Sequence, residues 1–269
     1  MTPWAAHLFV IVLVMSNIPL VVSAESREPH HQQQQQCGNT TTSCSSEIQC
    51  CKARYSPTSF GCLSNGTFCC TPGPSLEPSP HLPNCLIIGD SVSIGYTPAA
   101  TLLLQDVCQL QHGPYDTTNG GAGNTKYGLA CLPNFLRTQR QTQVKWDVIM
   151  FNFGLHDLVN TPEAKAIYRD DLAMIKQQLI AEQPQAKLLY ATTTPFMVDA
   201  MQNNTIVEDL NRLALEVMSS SDQHIDIVDL HAVVTNHCGD LYEDCSWCNQ
   251  KPCGMHYNTM GYAALGKSV

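Results

Sequence analysis

The chain has 269 residues, a formal net charge of -9 and 14% charged residues, so it can form one sizeable hydrophobic core with additional segments. This length excludes a short disulfide-linked peptide. The 14 basic residues are scattered among 23 acidic ones. Because binding to phosphate groups needs clustered Lys and Arg, the charge pattern argues against a nucleic acid or an anionic membrane surface as the partner.

The N-terminal segment predicts the cellular compartment. Residues 8–22 are mostly apolar, are interrupted by Pro19, and lead into the small-residue pattern that ends at Ala24. We interpret residues 1–24 as a cleaved secretory signal peptide, which predicts a secreted protein without a membrane anchor after cleavage. A membrane anchor is the alternative, but the apolar run is shorter than the ~20 residues that a spanning helix needs.

The 14 cysteines agree with an oxidising compartment, in which they form disulfides. They fall into two groups of seven: Cys37, Cys44, Cys50, Cys51, Cys62, Cys69 and Cys70, followed by Cys85, Cys108, Cys131, Cys238, Cys245, Cys248 and Cys253. Seven is an odd number. If every cysteine is oxidised within the chain, at least one disulfide must therefore join the first group to the second.

Composition divides the chain into segments. Residues 25–36 are a polar tail with five consecutive Gln, residues 37–70 are a Cys-rich module with few large aliphatic side chains, and residues 71–84 contain five prolines. We expect the tail to be disordered, the module to be held by disulfides rather than by a core, and the Pro-rich segment to be a stiff linker. Three Asn-x-Ser/Thr sequons predict glycosylation at Asn39, Asn65 and Asn203.

From residue 85 to residue 269 the pattern alternates between strands and helices. It predicts strands at 85–88, 147–153, 187–191 and 225–228, and helices at 98–110, 125–136, 162–182, 205–218 and 259–265. Such alternation indicates an α/β domain, a parallel sheet with helices on both faces. Ligands bind beyond the carboxyl ends of such strands, so the functional residues should follow the strands directly.

Four short blocks occupy those positions. They are GDSVSIGY at 89–96, GAGNTKYGL at 121–129, FGLHD at 153–157 and GMHYNTMGYAALG at 254–266. Taken alone, Ser91 in the first block could be a helix cap. The four blocks in this order, however, resemble the SGNH (GDSL-type) hydrolase family over residues 85–269. The resemblance implies a three-layer, flavodoxin-like fold and ester hydrolysis without a metal or another cofactor.

The resemblance also implies roles for individual residues. Ser91 stands at the position of the family's nucleophile, and its backbone N–H contributes to the oxyanion hole. Gly123 stands where a glycine N–H completes that hole, and His256 stands where the general base takes the serine proton. The alternative for His256 is a half-buried histidine without a catalytic role.

Two positions depart from the family pattern. His156 replaces an Asn whose amide donates to the oxyanion, and an imidazole N–H can donate the same kind of hydrogen bond. A merely packed or solvated His156 is the alternative. Cys253 replaces the Asp that normally orients the catalytic histidine. We expect Cys253 to be disulfide-bonded and to brace the loop that carries His256, although a zinc site or a free thiolate beside Lys251 would also use such a cysteine.

The acid that orients His256 is therefore either absent, which leaves a Ser-His dyad, or supplied upstream by Asp240 or Asp244. The resemblance implies a small-molecule or carbohydrate ester as the substrate, and we expect an acetyl or other small acyl ester on carbohydrate. Two alternatives remain open. The first is a protein that binds extracellular glycans without hydrolysing them, and the second is a structural extracellular protein that works through its Cys-rich module.

Overall fold

The computed structural model describes residues 35–36, 43–44, 48–52, 60–64, 70–71, 73–114, 121–196, 204–220, 225–239 and 244–269. The predicted signal peptide, most of the Gln-rich tail, the three glycosylation asparagines (Asn39, Asn65 and Asn203) and Asp240 lie outside these residues.

Two short antiparallel strand pairs lie in the N-terminal part. Strand β1 (Gln35–Gln36) pairs with β2 (Ser43–Cys44), and β3 (Ile48–Lys52) pairs with β4 (Phe60–Ser64). The first pair includes the last two residues of the tail, and the second lies wholly within the Cys-rich module.

Five parallel strands form the central sheet: β5 (Asn84–Ile88), β6 (Gln109–Gly113), β7 (Val148–Phe151), β8 (Lys187–Ala191) and β9 (Asp226–Val228). Their order is β6-β5-β7-β8-β9, with Ile88 beside both Gly113 and Phe151. The first strand of the sheet in chain order, β5, is thus the second strand from one edge, and the carboxyl ends of β5 and β7 are adjacent. The predicted parallel α/β sheet is confirmed.

Among the described residues, six helices cover the sheet: α1 (Ser91–Leu104), α2 (Thr125–Phe135), α3 (Pro162–Glu182), α4 (Asn204–Ser219), α5 (Leu230–Cys238) and α6 (Thr259–Lys267). Helix α6 packs against α1 and α5, whereas α3 packs against α2 and α4, so the helices form two layers on opposite faces. Large buried side chains fill the core between the layers, among them Trp146, Tyr96, Tyr168, Tyr190 and Phe135.

The predicted helix at 98–110 was wrong at both ends. Helix α1 already begins at Ser91 because the Asp90 side chain accepts a hydrogen bond from the N–H of Val92, and it accommodates Pro98 in its interior. The chain then turns and forms β6. This strand was missed because it lies at the edge of the sheet and carries polar residues.

Two of those polar residues hold the Pro-rich segment. Gln111 accepts a hydrogen bond through Oε1 from the N–H of Leu76 (3.2 Å), and Gln109 donates through Nε2 to the carbonyl of Glu77 (3.1 Å). The backbone N–H of Gln139 donates to the carbonyl of Pro74 (2.9 Å). Residues 74–77 are therefore fixed against the edge of the sheet.

Four disulfides lie within the described residues: Cys70–Cys131, Cys85–Cys108, Cys238–Cys245 and Cys248–Cys253. The first joins the Cys-rich module to α2 and confirms the expected link between the two cysteine groups. The last two close the loop before α6, so the cysteines once considered as zinc ligands are paired with each other. In the part of the chain that the structure describes, no helix has the length and apolar character needed to cross a membrane.

Candidate active site

Ser91 lies where β5 ends and α1 begins, at the carboxyl edge of the sheet. Its Oγ is 2.8 Å from Nε2 of His256, a residue 165 positions later in the chain. With the imidazole protonated at Nδ1, Nε2 accepts the hydrogen bond and the Ser91 hydroxyl donates it. A base in this position can remove the proton as the oxygen attacks a carbonyl carbon.

His256 is held by the loop between Cys245 and Cys253. The carbonyl of His256 accepts a hydrogen bond from the N–H of Asn249 (3.3 Å), and Cys248 forms an antiparallel bridge with Tyr257. The Cys248–Cys253 disulfide lies within this loop, as predicted for Cys253, which is 2% exposed, and the Cys238–Cys245 disulfide ties the start of the loop to α5. The cysteine at the family's Asp position therefore acts on the shape of the loop and is not a free thiolate.

Asn258 locks the same loop to helix α6. Its Oδ1 accepts hydrogen bonds from the N–H groups of Met260 (3.0 Å) and Gly261 (3.2 Å), which caps the helix. Its Nδ2 donates to the carbonyls of Ser246 (2.7 Å) and Cys248 (3.3 Å). One side chain thus joins the helix, the disulfide loop and the segment that presents His256.

Asp244, one of the two upstream aspartates, forms no hydrogen bond with the His256 ring. The Asp244 carboxylate is 87% exposed and lies 3.1 Å from Nζ of Lys251, while Asp240 is outside the described residues. Within the described residues, Ser91 is the only side chain that forms a hydrogen bond with the His256 ring. Among the described residues, the contacts are therefore those of a Ser-His dyad.

The turn that contains Gly123 lies directly against the Ser91 turn. The N–H of Ala122 donates to the carbonyl of Gly89 (2.8 Å). Gly121 has φ +65°, and a Cβ there would lie 2.2 Å from the Gly89 oxygen, so only glycine fits. Gly123 also has a positive φ (+64°), and Asn124 caps α2 immediately after it.

Three side chains fix the FGLHD block. The carbonyl of Phe153 accepts hydrogen bonds from Tyr168 Oη (3.0 Å), Tyr190 Oη (3.1 Å) and Thr193 Oγ1 (3.1 Å). A Cβ on Gly154 would lie 2.1 Å from Thr193 Oγ1, which excludes any larger residue. The block therefore leaves β7 along a fixed path.

Asp157, which the sequence reasoning left without a role, connects this block to α2. Its carboxylate accepts hydrogen bonds from the backbone N–H (3.1 Å) and the hydroxyl (2.8 Å) of Thr125. Burial raises the pKa of Asp157 to about 6, against the opposing effect of these hydrogen bonds. In the sequence, the position of Asp157 next to His156 in the FGLHD block was the feature that could have indicated a role for it.

His156 itself is exposed at the surface of the site. Burial raises the pKa of the Asp90 carboxyl, and the His156 and His256 imidazoles, with the Val92 and Ser93 N–H groups, oppose that rise. Both rings are thus close enough to Asp90 to interact with it electrostatically. Ser91 and His256 are in direct contact, whereas His156 is linked to this turn through its electrostatic effect on Asp90.

A second serine-histidine contact lies behind the first. Ser93 Oγ is 2.6 Å from Nε2 of His112, whose Nδ1 is 2.9 Å from the carbonyl of Pro114. Burial lowers the pKa of His112 to about 4, so this ring is neutral at pH 7. Because Ser93 is 2% exposed, its hydroxyl is inaccessible to a substrate, and sequence reasoning did not find this pair.

Comparisons with known proteins identify the family and the fold. Residues 87–264 match the model of the GDSL-like Lipase/Acylhydrolase family, which is 178 of the 269 residues. No curated protein sequence matches the chain.

Several solved structures share its fold. A protein from Streptococcus pneumonia named for platelet activating factor is 22% identical, with a TM-score of 0.52 over 71% of this chain and 83% of that one. The acetyl xylan esterase AlAXEase is 14% identical, with a TM-score of 0.52 over 69% of this chain and 96% of that one. A catalytic mutant of Axe2, an acetylxylan esterase from Geobacillus stearothermophilus, is 16% identical, with a TM-score of 0.51 over 71% of this chain and 93% of that one.

Proposed function

The chain belongs to the GDSL-like lipase/acylhydrolase family and is a hydrolase of ester bonds, and from that premise we propose that it is a secreted serine esterase in which His256 activates Ser91. The observation that carries this proposal is the 2.8 Å contact between Ser91 Oγ and His256 Nε2 at the carboxyl edge of the sheet. The predicted signal peptide and the disulfides favour an extracellular site of action.

In the first half-reaction, Ser91 Oγ attacks the ester carbonyl carbon and His256 Nε2 takes the hydroxyl proton. The carbonyl oxygen becomes an oxyanion, which the N–H groups of Ser91 and Gly123 and the imidazole of His156 stabilise. His256 then returns the proton to the leaving alcohol, and the acyl group stays on Ser91. Water, deprotonated by His256, hydrolyses this acyl-enzyme in the second half-reaction.

Within the described residues, no carboxylate forms a hydrogen bond with the His256 ring. The position of His256 is fixed by the Asn249 hydrogen bond to its own carbonyl, by the bridge between Cys248 and Tyr257, and by Asn258. The fixed backbone places the Cβ of His256, and the hydrogen bond with Ser91 Oγ then orients the ring.

We propose an acetyl or other small acyl ester on carbohydrate as the substrate. Two of the structural neighbours are named as acetyl xylan esterases. The absence of basic clusters in the sequence is consistent with a neutral substrate rather than a polyanionic one.

The test is hydrolysis of p-nitrophenyl acetate and of acetylated xylan by the wild-type protein, Ser91→Ala and His256→Ala. We expect both variants to lose more than about 10³-fold in kcat/KM while their unfolding midpoints stay close to that of the wild type. An organophosphonate should label Ser91 in the wild type and label His256→Ala far more slowly.

Unchanged hydrolysis in either variant would disprove the assignment. Binding of acetylated xylan without turnover by the wild type would favour the alternative of a glycan-binding protein, which the replacements at His156 and Cys253 suggest.

A further inference from the structure

The carbonyl of Asp90 belongs to the same peptide group as the N–H of Ser91, which the proposed function places in the oxyanion hole. This carbonyl accepts two hydrogen bonds, from Ser93 Oγ (2.6 Å) and from the N–H of Ile94 (3.1 Å). The bond from Ile94 is an ordinary bond of helix α1, whereas the shorter one comes from a side chain. Because a peptide group is planar, a side chain that fixes this carbonyl also fixes the N–H of Ser91.

A hydrogen bond to the oxygen of a peptide group also strengthens the donor at its nitrogen. Hydrogen bonds in a chain polarise one another, by roughly 10–30% per bond. The Ser93 hydroxyl is buried, and Gly89 leaves room for it, since a Cβ on Gly89 would lie 2.7 Å from Ser93 Oγ. The hydroxyl can therefore act on the N–H of Ser91 without contacting a substrate.

His112 is the second partner of the Ser93 hydroxyl. Its Nε2 is 2.6 Å from Ser93 Oγ, and its Nδ1 is 2.9 Å from the carbonyl of Pro114. With the contact between Ser93 and the Asp90 carbonyl, three contacts each call for one hydrogen. Burial lowers the pKa of His112 to about 4, so at pH 7 the ring has one N–H. The ring and the hydroxyl together supply two hydrogens for the three contacts.

The distances assign these two hydrogens. A contact of 2.6 Å between two electronegative atoms has the length of a hydrogen bond, and the single hydroxyl hydrogen of Ser93 serves one such contact. A ring hydrogen on Nε2 of His112 serves the other, and the hydroxyl then donates to the Asp90 carbonyl. The contact left without a hydrogen is the longest of the three, between Nδ1 and the Pro114 carbonyl.

We infer that Ser93 and His112 are positioning residues for the oxyanion hole. His112 donates through Nε2 to Ser93 Oγ, and the Ser93 hydroxyl donates to the carbonyl of Asp90. This chain of hydrogen bonds orients and polarises the N–H of Ser91. The inference rests on the proposed function, in which that N–H stabilises the oxyanion.

The first test compares Ser93→Ala with Thr97→Val in the full-length protein. Thr97 is the matched control, because its hydroxyl donates to the Ser93 carbonyl (2.7 Å) in the same kind of bond, one turn further along α1. We expect Ser93→Ala to lower kcat for p-nitrophenyl acetate about tenfold with KM nearly unchanged, since a weakened donor costs less than the loss of a whole one. Thr97→Val should have the kcat of the wild type.

Two substitutions of His112 test the direction of its bond to Ser93. Gln is long enough to place an amide donor near the position of Nε2, whereas the shorter Asn reaches only the position of Nδ1. His112→Gln should therefore retain the kcat of the wild type, and His112→Asn should lose about threefold, because one bond of the chain is missing. If Ser93 instead donates to Nε2, His112→Asn frees the hydroxyl for the Asp90 carbonyl. Its kcat would then equal or exceed that of the wild type, which would overturn the inference.

A spectroscopic measurement distinguishes positioning from a general loss of structure. In protein labelled with ¹³C and ¹⁵N, Ser93→Ala should move the carbonyl ¹³C resonance of Asp90 and the amide ¹⁵N resonance of Ser91 upfield, because the Asp90 carbonyl loses a hydrogen bond. Thr97→Val should leave both resonances in place. Thermal unfolding checks that each variant is folded.

The outcomes separate this inference from the proposed function. If the wild type hydrolyses the ester and Ser93→Ala has the same kcat, or leaves the Asp90 resonance unmoved, the inference is wrong and the pairing of Ser91 with His256 stands. If the wild type is no more active than Ser91→Ala, the proposed function fails and the inference fails with it. Should Ser93→Ala not fold, the two His112 variants and their Asp90 resonances decide.

Discussion

The two sides of the catalytic pair are built by different means. On the Ser91 side, turns at the ends of β5 and β7 are fixed by backbone hydrogen bonds, glycine contacts and the buried carboxylate of Asp157. On the His256 side, a loop with little regular structure is fixed by two disulfides and the four hydrogen bonds of Asn258.

The difference shows that a reactive side chain can be positioned equally well by a sheet edge or by covalent crosslinks. The first solution depends on the whole core, because the sheet and its helices must fold before the turns acquire their shape. The second is local, because its two disulfides join cysteines only 7 positions apart (Cys238–Cys245) and 5 positions apart (Cys248–Cys253). Mutations on the two sides should therefore differ in how strongly they affect activity and how strongly they affect the stability of the fold.

Outside the Ser91–His256 pair, the largest effect is expected at His156, on the sheet side. His156→Ala should lower kcat for p-nitrophenyl acetate by 10²- to 10³-fold, the usual cost of removing one oxyanion donor, with no change in the unfolding midpoint. His156→Asn, which restores an N–H donor, should retain a large part of the rate. Equal activity of the two variants would exclude His156 from the oxyanion hole.

Removal of a disulfide should affect the His256 side next most strongly. The double variant Cys248→Ser/Cys253→Ser should lose about 10²-fold in kcat, because a displacement of about 1 Å at a catalytic group has such a cost. The control is Cys85→Ser/Cys108→Ser, which removes a disulfide at the opposite end of β5 from Ser91. It should destabilise the protein by about 2–5 kcal/mol and leave kcat nearly unchanged.

If both double variants lose activity in proportion to their stability, the Cys248–Cys253 disulfide has no specific effect on His256. Kinetic assays at 10 °C and chemical denaturation of the same samples distinguish the two cases.

Asn258 offers a finer test of the same side. Asn258→Asp keeps the acceptors for the helix cap but loses the donors to Ser246 and Cys248, so we expect about a tenfold loss of kcat with most of the stability retained. Asn258→Ala also loses the cap and should cost about 1 kcal/mol of unfolding free energy in addition. If Asn258→Asp had the kcat of the wild type, the disulfides would position His256 without the Asn258 hydrogen bonds to Ser246 and Cys248.

The smallest effect concerns stability and lies on the sheet side. Burial raises the pKa of Asp157 from 3.8 to about 6, so the folded protein binds this proton more tightly than the unfolded chain. The contribution of this proton binding to the stability of the folded protein is fully present below pH 3.8 and is lost as the pH rises through about 6. Asp157→Asn should remove this part of the pH dependence, making the variant relatively more stable at pH 7 than at pH 4 by ~2 kcal/mol.

Urea denaturation of both proteins at these two pH values gives the comparison. A difference of the opposite sign would mean that the Thr125 hydrogen bonds dominate over burial and hold Asp157 ionised.

The sequence predicted the parts of the molecule that depend on periodicity and motif order. Four of the five sheet strands are apolar runs, and the blocks around Ser91 and His256 follow strand ends or precede a capped helix. Strand β6 was not predictable in this way, because an edge strand is half solvated and its Gln109 and Gln111 serve the segment that covers it.

Other features depend on contacts between distant residues. Asp157 acts on Thr125, which lies 32 positions earlier, and no local pattern indicates that pairing. The disulfide partners of Cys70 and Cys253 were equally open, since spacing alone does not determine connectivity. Asn258 was recognisable as a helix cap, but its hydrogen bonds to the disulfide loop require the folded loop.

Composition separates the Cys-rich module from the α/β domain at the Pro-rich segment 71–84. The disulfide between Cys70 and Cys131 nevertheless joins the two parts covalently. A protease that cuts within residues 73–83 would yield two polypeptides that still migrate as one particle until they are reduced. Maturation in this segment could not release the N-terminal module by cleavage alone. A recombinant fragment that starts at residue 85 would leave Cys131 with an unpaired thiol in α2, six residues after the helix begins at Thr125. Expression of the hydrolase region should therefore retain Cys70.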